Sequence, residues 1–222
     1  MILRMIEAGG IEQEREKGPV AHFEDMDAEL WNIADLDDEE RVAALDALEA
    51  YKKSKNKEFL AGAVAIAENG DKAVMHNEDA PVGKGQEGHA EMLALASLYS
   101  MRPSARSLKI LALAGSYPGE NLAERTDIYG KEVKTSRDVY FHRVCGRCLK
   151  RAADYSGYGV PFSAKTGERE DKSPIVLMVV SPLQVVRTTM HTMHPLPHIP
   201  GQMKREPWAR DKEKRYPEGT GK

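Results

Sequence analysis

Apolar and polar positions change their spacing from segment to segment along this chain, and each change marks an element. From Asp37 to Lys53 the run DDEERVAALDALEAYKK sets Val42, Leu45, Leu48 and Tyr51 at spacings of three. Acids crowd its start and lysines its end, the arrangement of an amphipathic helix whose charges suit its dipole. From Phe59 to Asn77 two short apolar runs flank Asn69-Gly70, which predicts a β-hairpin. HAEMLALASLYSM is nearly all apolar and poor in β-branched residues, which predicts a buried helix. SLKILALAGS, Ser107 to Ser116, and SPIVLMVVSP, Ser173 to Pro182, predict buried strands. Between those two lies a polar stretch from Tyr117 to Tyr140 without a clear period, read as an excursion over the surface. FHRVCGRCLKRAADYSGYG follows it, a turn leading into a short helix.

Helix, hairpin, helix, strand, helix, strand is the order expected of an α/β domain layered around one mixed sheet. Length adds that the 222 residues, 41% hydrophobic and 30% charged, make one large domain with a real core. Charge divides the ends from the middle. Residues 1 to 60 hold 16 Asp and Glu against 8 Lys and Arg, whereas Pro195 to Lys222 holds 7 basic residues against 4 acidic. We therefore expect an acidic N-terminal extension over 1–36, a central domain over 37–190 and a Pro-rich, basic tail over 191–222. No stretch approaches the ~20 apolar residues of a membrane helix, so no membrane association is expected. MILRMIEAGGIEQEREK turns acidic at once, unlike a secretory signal, and a reducing, cytoplasmic setting is the expectation. A net charge of -3 and a pI near 6.2 argue against a surface that grips nucleic acid all round.

The chain has two cysteines, Cys145 and Cys148, too close in sequence to staple a domain. They open one predicted helix, while His89-Ala90-Glu91 opens another. One imidazole and two thiolates make the three-ligand set of a catalytic zinc, with a fourth position left for water. Cysteines three apart in a first helical turn point the same way, and the free backbone N–H groups there favour thiolates. Glu91, two residues past the histidine, is badly placed to bind the same ion and well placed to move protons beside it. Other readings start from the same residues. The cysteine pair alone also fits a thioredoxin-like dithiol. It equally fits half of a structural zinc site closed by His142, His191, His194 or His198. His191, His194 and His198 also have the spacing for a second metal site, or are a chance cluster in the tail. Lys204, Arg205, Arg210, Lys212, Lys214 and Arg215 fit either a phosphate-tracking surface or a solvated tail.

Taken together, His-Ala-Glu opening a helix, then a strand, then Cys-x-x-Cys opening the next helix resembles the zinc-dependent cytidine deaminase superfamily. The resemblance covers roughly residues 38 to 182. It implies a three-layer α/β/α fold around one mixed sheet, with one Zn2+ per chain held by His89, Cys145 and Cys148. It implies hydrolysis of a ring amine to a carbonyl with release of ammonia, Glu91 carrying the proton. Asn77, about a dozen residues before His89, stands where the family places a ribose contact. Glu78 resembles the acidic residue that shares that task, and the backbone N–H of Ala90 would hold a pyrimidine carbonyl. The sequence departs from the pattern in three ways. Val144 replaces the usual proline. The gap from His89 to Cys145 is 56 residues, the excess falling in the 117–140 excursion, which would overhang the site. No aromatic clamp is recognisable beside the cysteines, Phe141 and His142 being the candidates. The implied substrate is a cytosine-type nucleoside or nucleotide acted on by a homo-oligomer. HAEM followed by leucines also resembles the tRNA adenosine deaminases. A polynucleotide or tRNA substrate is therefore the alternative, an antibiotic or pterin-like amine a further one, and an idle zinc-binding module of the same fold another.

Overall fold

The computed structural model describes residues 17–77, 88–101, 108–117, 119–125, 127–128, 130–156 and 173–193, with the side chains of 123 and 154–156 excluded. In chain order the strands are β1 Ala21–His22, β2 Ala28–Asn32, β3 Leu60–Ala67, β4 Lys72–His76, β5 Leu108–Ser116, β6 Ile175–Val179 and β7 Gln184–Thr189. The helices are α1 Asp38–Lys53, α2 Ala90–Met101, α3 Gly146–Ser156 and the single turn α4 Met190–Met193. All seven strands join one sheet in the order β1-β2-β7-β6-β5-β3-β4. The β5–β6 pair is parallel and every other pair antiparallel, so the sheet is mixed.

Period-two alternation sorts the central strands onto two cores. Val64, Ile66, Ile110, Ala112, Leu177 and Val179 meet α1 on one face. Ala61, Ala63, Ala65, Leu111, Leu113, Val176 and Met178 meet α2 and α3 on the other. The result is the expected three-layer α/β/α architecture.

Helix α1 starts and stops where the sequence predicts, with Asp38, Glu39 and Glu40 in its first turn and Lys52 and Lys53 in its last. Its buried face keeps Leu48 and Tyr51 of the predicted one and loses Val42 and Leu45. Val42 and Leu45 are each 43% exposed, and Ala43, Ala44, Ala47, Leu48, Ala50 and Tyr51 face the sheet instead. A spacing of three falls about 60° short of a full turn at each step, so Val42 and Tyr51 end on opposite sides of the helix. The small residues let α1 sit against the sheet backbone. A Cβ on Gly62 of β3 would lie 2.1 Å from the Tyr51 amide nitrogen and 2.3 Å from the Ala47 carbonyl oxygen. At Asn69-Gly70 the predicted hairpin turn is present, Gly70 having φ of 84° and Ala67 closing the turn onto Asp71.

The sheet reaches further toward the N-terminus than the sequence suggested. β2, within the stretch read as an extension, pairs with β7 along its whole length, and Leu30 is fully buried. Strand β7 was not predicted either. Both strands carry buried polar residues, Asn32 and Gln184, that interrupt the apolar signal. Their amides meet at 3.5 Å, and the Gln184 carbonyl accepts from the Ile128 backbone N–H at 2.7 Å.

The excursion after β5 holds one 3-10 turn, Leu122–Glu124, and is strapped down rather than draped loosely. Leu122 is fully buried on the α1 side, while Val139 is buried on the α2–α3 side. The Ser136 hydroxyl and amide both donate to Asp25, and the Ser181 hydroxyl donates to Asp127. Among the described residues no helix is long and apolar enough to cross a membrane.

Candidate metal centre

Strands β4, β5 and β6 run in the same direction, because β4 and β5 are both antiparallel to β3 and β6 is parallel to β5. Their carboxyl ends therefore share one edge of the sheet, the edge at which open α/β sheets bind ligands. Helix α2 follows β4 and helix α3 follows the excursion from β5, so both helices start there.

The two starts are built alike. The His89 carbonyl accepts from the Leu93 amide at 3.0 Å, and the Cys145 carbonyl accepts from the Leu149 amide at 2.9 Å. Each of these residues is thus the N-cap of its helix, with its side chain free of the helical cylinder. The Cys145 sulfur also accepts from the Cys148 amide at 3.4 Å, taking the capping role that a serine oxygen usually fills. His89 Nδ1 lies 3.7 Å from Cys145 Sγ and 3.5 Å from Cys148 Sγ. All three donor atoms lie within 4.8 Å of one another, and among the described residues no other group of this kind assembles. The donor set is borderline nitrogen with soft sulfur, which suits zinc, and it numbers three, which leaves a position for water or substrate.

Glu91 sits one residue inside α2 and is 5% exposed. Burial pushes its carboxyl above the usual carboxylate range. Its own backbone N–H, His89 and the Cys148 thiol pull the other way without prevailing. Burial, with the Glu91 carboxylate and Cys145 beside it, likewise pushes the Cys148 thiol up. A cation among these groups reverses that balance, since a thiol that coordinates a metal is held as thiolate.

The remaining sequence-predicted residues fall in different places. Ala90 is fully buried as the first residue of α2. Asn77 is buried, and its amide knits the hairpin together. Its Oδ1 accepts from the Ser54 hydroxyl at 2.6 Å and the Ala61 amide at 2.8 Å, and its Nδ2 donates to the Phe59 carbonyl at 2.5 Å. Glu78, His194 and His198 lie outside the described residues, while the His191 amide donates to the Ser173 hydroxyl at 2.8 Å.

One feature escaped the sequence. The ring of His142, three residues before Cys145, stands edge-on to Phe59 at 4.7 Å, Tyr117 at 5.1 Å and Tyr140 at 5.3 Å. Phe59 and Tyr117 also touch at 5.4 Å, so an aromatic cluster does border the cysteine segment. Phe141, the other candidate, lies instead against the α2–α3 core with the Arg143 guanidinium 5.6 Å from its ring. The signal that would have found the cluster is topological. Phe59 immediately precedes β3 and Tyr117 follows β5, and those two positions meet only when the strands pair.

No protein-family model matches this sequence, and no curated protein does either. Solved structures of cytidine deaminases are similar to it in shape. The Burkholderia pseudomallei enzyme shares 16% identity and a TM-score of 0.42, over 68% of this chain and 91% of that one. A mutant enzyme from Mycobacterium tuberculosis shares 15% identity and a TM-score of 0.44, over 71% of this chain and 96% of that one. The Mycobacterium leprae enzyme shares 14% identity and a TM-score of 0.42, over 70% of this chain and 96% of that one.

Proposed function

We propose that this chain is a zinc-dependent hydrolase that converts the exocyclic amine of a cytosine-type nucleoside or nucleotide to a carbonyl. The observation that carries the reading is the pairing of a three-ligand His/Cys/Cys set with the buried carboxyl of Glu91 beside it. His89, Cys145 and Cys148 would hold the ion. Zinc in that set supplies Lewis acidity, which makes a water nucleophilic near neutral pH. Glu91 takes the proton from the attacking water. Burial raises its carboxyl and the ion's field would lower it, so the same group can hand that proton to the ring nitrogen and carry a second one, from the hydroxyl newly added to the ring carbon, to the departing ammonia.

A mass-spectrometric screen tests the reading. Zinc-loaded protein and its Glu91→Gln form would meet cytidine, deoxycytidine, their monophosphates, adenosine, guanine and short single-stranded oligonucleotides. Amine-to-carbonyl conversion by the unaltered protein alone supports it. Zinc bound at one per chain with no conversion of any amine overturns it.

A further inference from the structure

Beside the aromatic cluster, on the same sheet edge, lies a cavity of about 310 Å³ lined by Glu124, Arg125, Ile128, Tyr140 and Val180. Four of these belong to the excursion, and Val180 follows directly on β6. Arg125 is its central donor. One of its guanidinium nitrogens, Nη2, donates to Glu120 at 2.9 Å, and the group lies 4.5 Å from the Tyr140 ring centre. The other, Nη1, is the one buried side-chain nitrogen or oxygen among the described residues without a hydrogen-bond partner. Such a group calls for an acceptor.

The charges restrict what that acceptor is. Glu120 already balances Arg125, Glu124 adds a second carboxylate on the lining, and burial together with Arg125 pushes the His142 imidazole down toward its neutral form. An anion entering here meets two carboxylates against one guanidinium, and a cation, though drawn by the carboxylates, offers no acceptor to Nη1. A neutral ligand with hydroxyls meets no such conflict. It gives an acceptor to Arg125, a donor to Glu124, and its apolar face to Tyr140, Ile128 and Val180. Asn77, the position where the sequence placed a sugar contact, already spends its oxygen on Ser54 and Ala61.

We propose that Arg125, Glu124 and Tyr140 form a subsite for an uncharged polyhydroxyl ring, the sugar of the substrate, and that this subsite discriminates against phosphorylated substrates. This rests on the deaminase reading for its substrate and is separable from it by binding alone. Equilibrium dialysis with uridine, UMP and uracil requires no turnover. Uridine should bind about tenfold more tightly than UMP or uracil, and Arg125→Gln should abolish that preference. Turnover adds a second readout. Arg125→Gln should raise KM for cytidine about tenfold with kcat little changed, and leave cytosine kinetics as they were. Glu120→Gln with Glu124→Gln should narrow the gap between uridine and UMP. Equal binding of uridine, UMP and uracil overturns the proposal, as does an Arg125→Gln change that weakens all three alike. Arg125-dependent uridine binding without conversion of any amine leaves the subsite standing and removes the deaminase reading.

Discussion

The two faces of the sheet each bury a glutamate in the first turn of a helix, and they treat it in opposite ways. On the α1 face Glu40 is 3% exposed and receives two bonds from the Arg187 fork, at 2.8 and 3.0 Å. On the α2–α3 face Glu91 is 5% exposed, and its neighbours are a histidine and a thiol. The first carboxylate has its charge matched by geometry and serves packing. The second is left to a proton or to a metal's field, and that makes it chemically available. Both are glutamates in a first helical turn, so the partner decides between architecture and reactivity.

The strongest way to break the comparison is to remove each carboxyl's ability to ionise. Glu91→Gln should lower turnover by about 10²- to 10⁴-fold with bound zinc unchanged, whereas Glu40→Gln should leave turnover near its original value. Steady-state rates with metal analysis read both, and equal losses from the two variants would erase the distinction. Glycine gives the next largest contrast. Gly62→Ala forces a methyl into the α1 backbone and should cost about 3 kcal/mol in urea unfolding. Gly115→Ala presses on the Phe59 ring, at 2.7 Å, and meets the Leu60 carbonyl only at an ordinary 3.4 Å. It should cost less stability and instead shift the near-ultraviolet signal of the aromatic cluster. The Glu40–Arg187 pair comes third. Because the Arg187 side chain is 31% exposed, Glu40→Ala should cost about 2 kcal/mol, below the cost for a fully buried pair, and replacing both residues with Met should recover most of it.

Acid gives the mildest test, and it acts on the excursion. Hydrogen bonds from Ser136 hold the Asp25 carboxyl below its ordinary value, and backbone and hydroxyl bonds from Thr135 and Lys134 do the same for Asp138. A lowered carboxylate contributes stability that is present above its ordinary value and lost as pH falls through the lowered one. Amide exchange in residues 130–140 should therefore quicken before the sheet opens, as pH falls below the ordinary carboxylate range. Asp25→Asn should remove part of that dependence.

Much of this arrangement was legible in the sequence, for reasons that differ by element. Helix α1, the hairpin, α2, β5, α3 and β6 each carry a local signal in charge, turn residues or apolar run. The grouping of His89 with Cys145 and Cys148 was legible because all three sit at predicted helix starts, and it is as the structure has it. β2 and β7 were not legible. Five residues around a buried Asn32, and six beginning with a buried Gln184, give no clean alternation. The packing face of α1 was misread because alanines, rather than the larger Val42 and Leu45, lie where Gly62 makes room. Phe59, Tyr117 and Arg125 were invisible as site neighbours because nothing in their own segments says which strand ends will meet.

The excursion begins at Tyr117 and ends at Tyr140, and both rings rest on the same imidazole of His142. Its two ends are therefore already joined at a single pivot, while buried Leu122 and Val139 and the Ile128 bond to Gln184 tie the chain between them to the body. Closing a flexible loop twice as long costs only about 0.6 kcal/mol more. Residues added at the exposed turn 130–132, between those anchors, would leave the positions of His89, Cys145 and Cys148 undisturbed. This architecture lets selectivity be rewritten by insertion while the reactive groups keep their places.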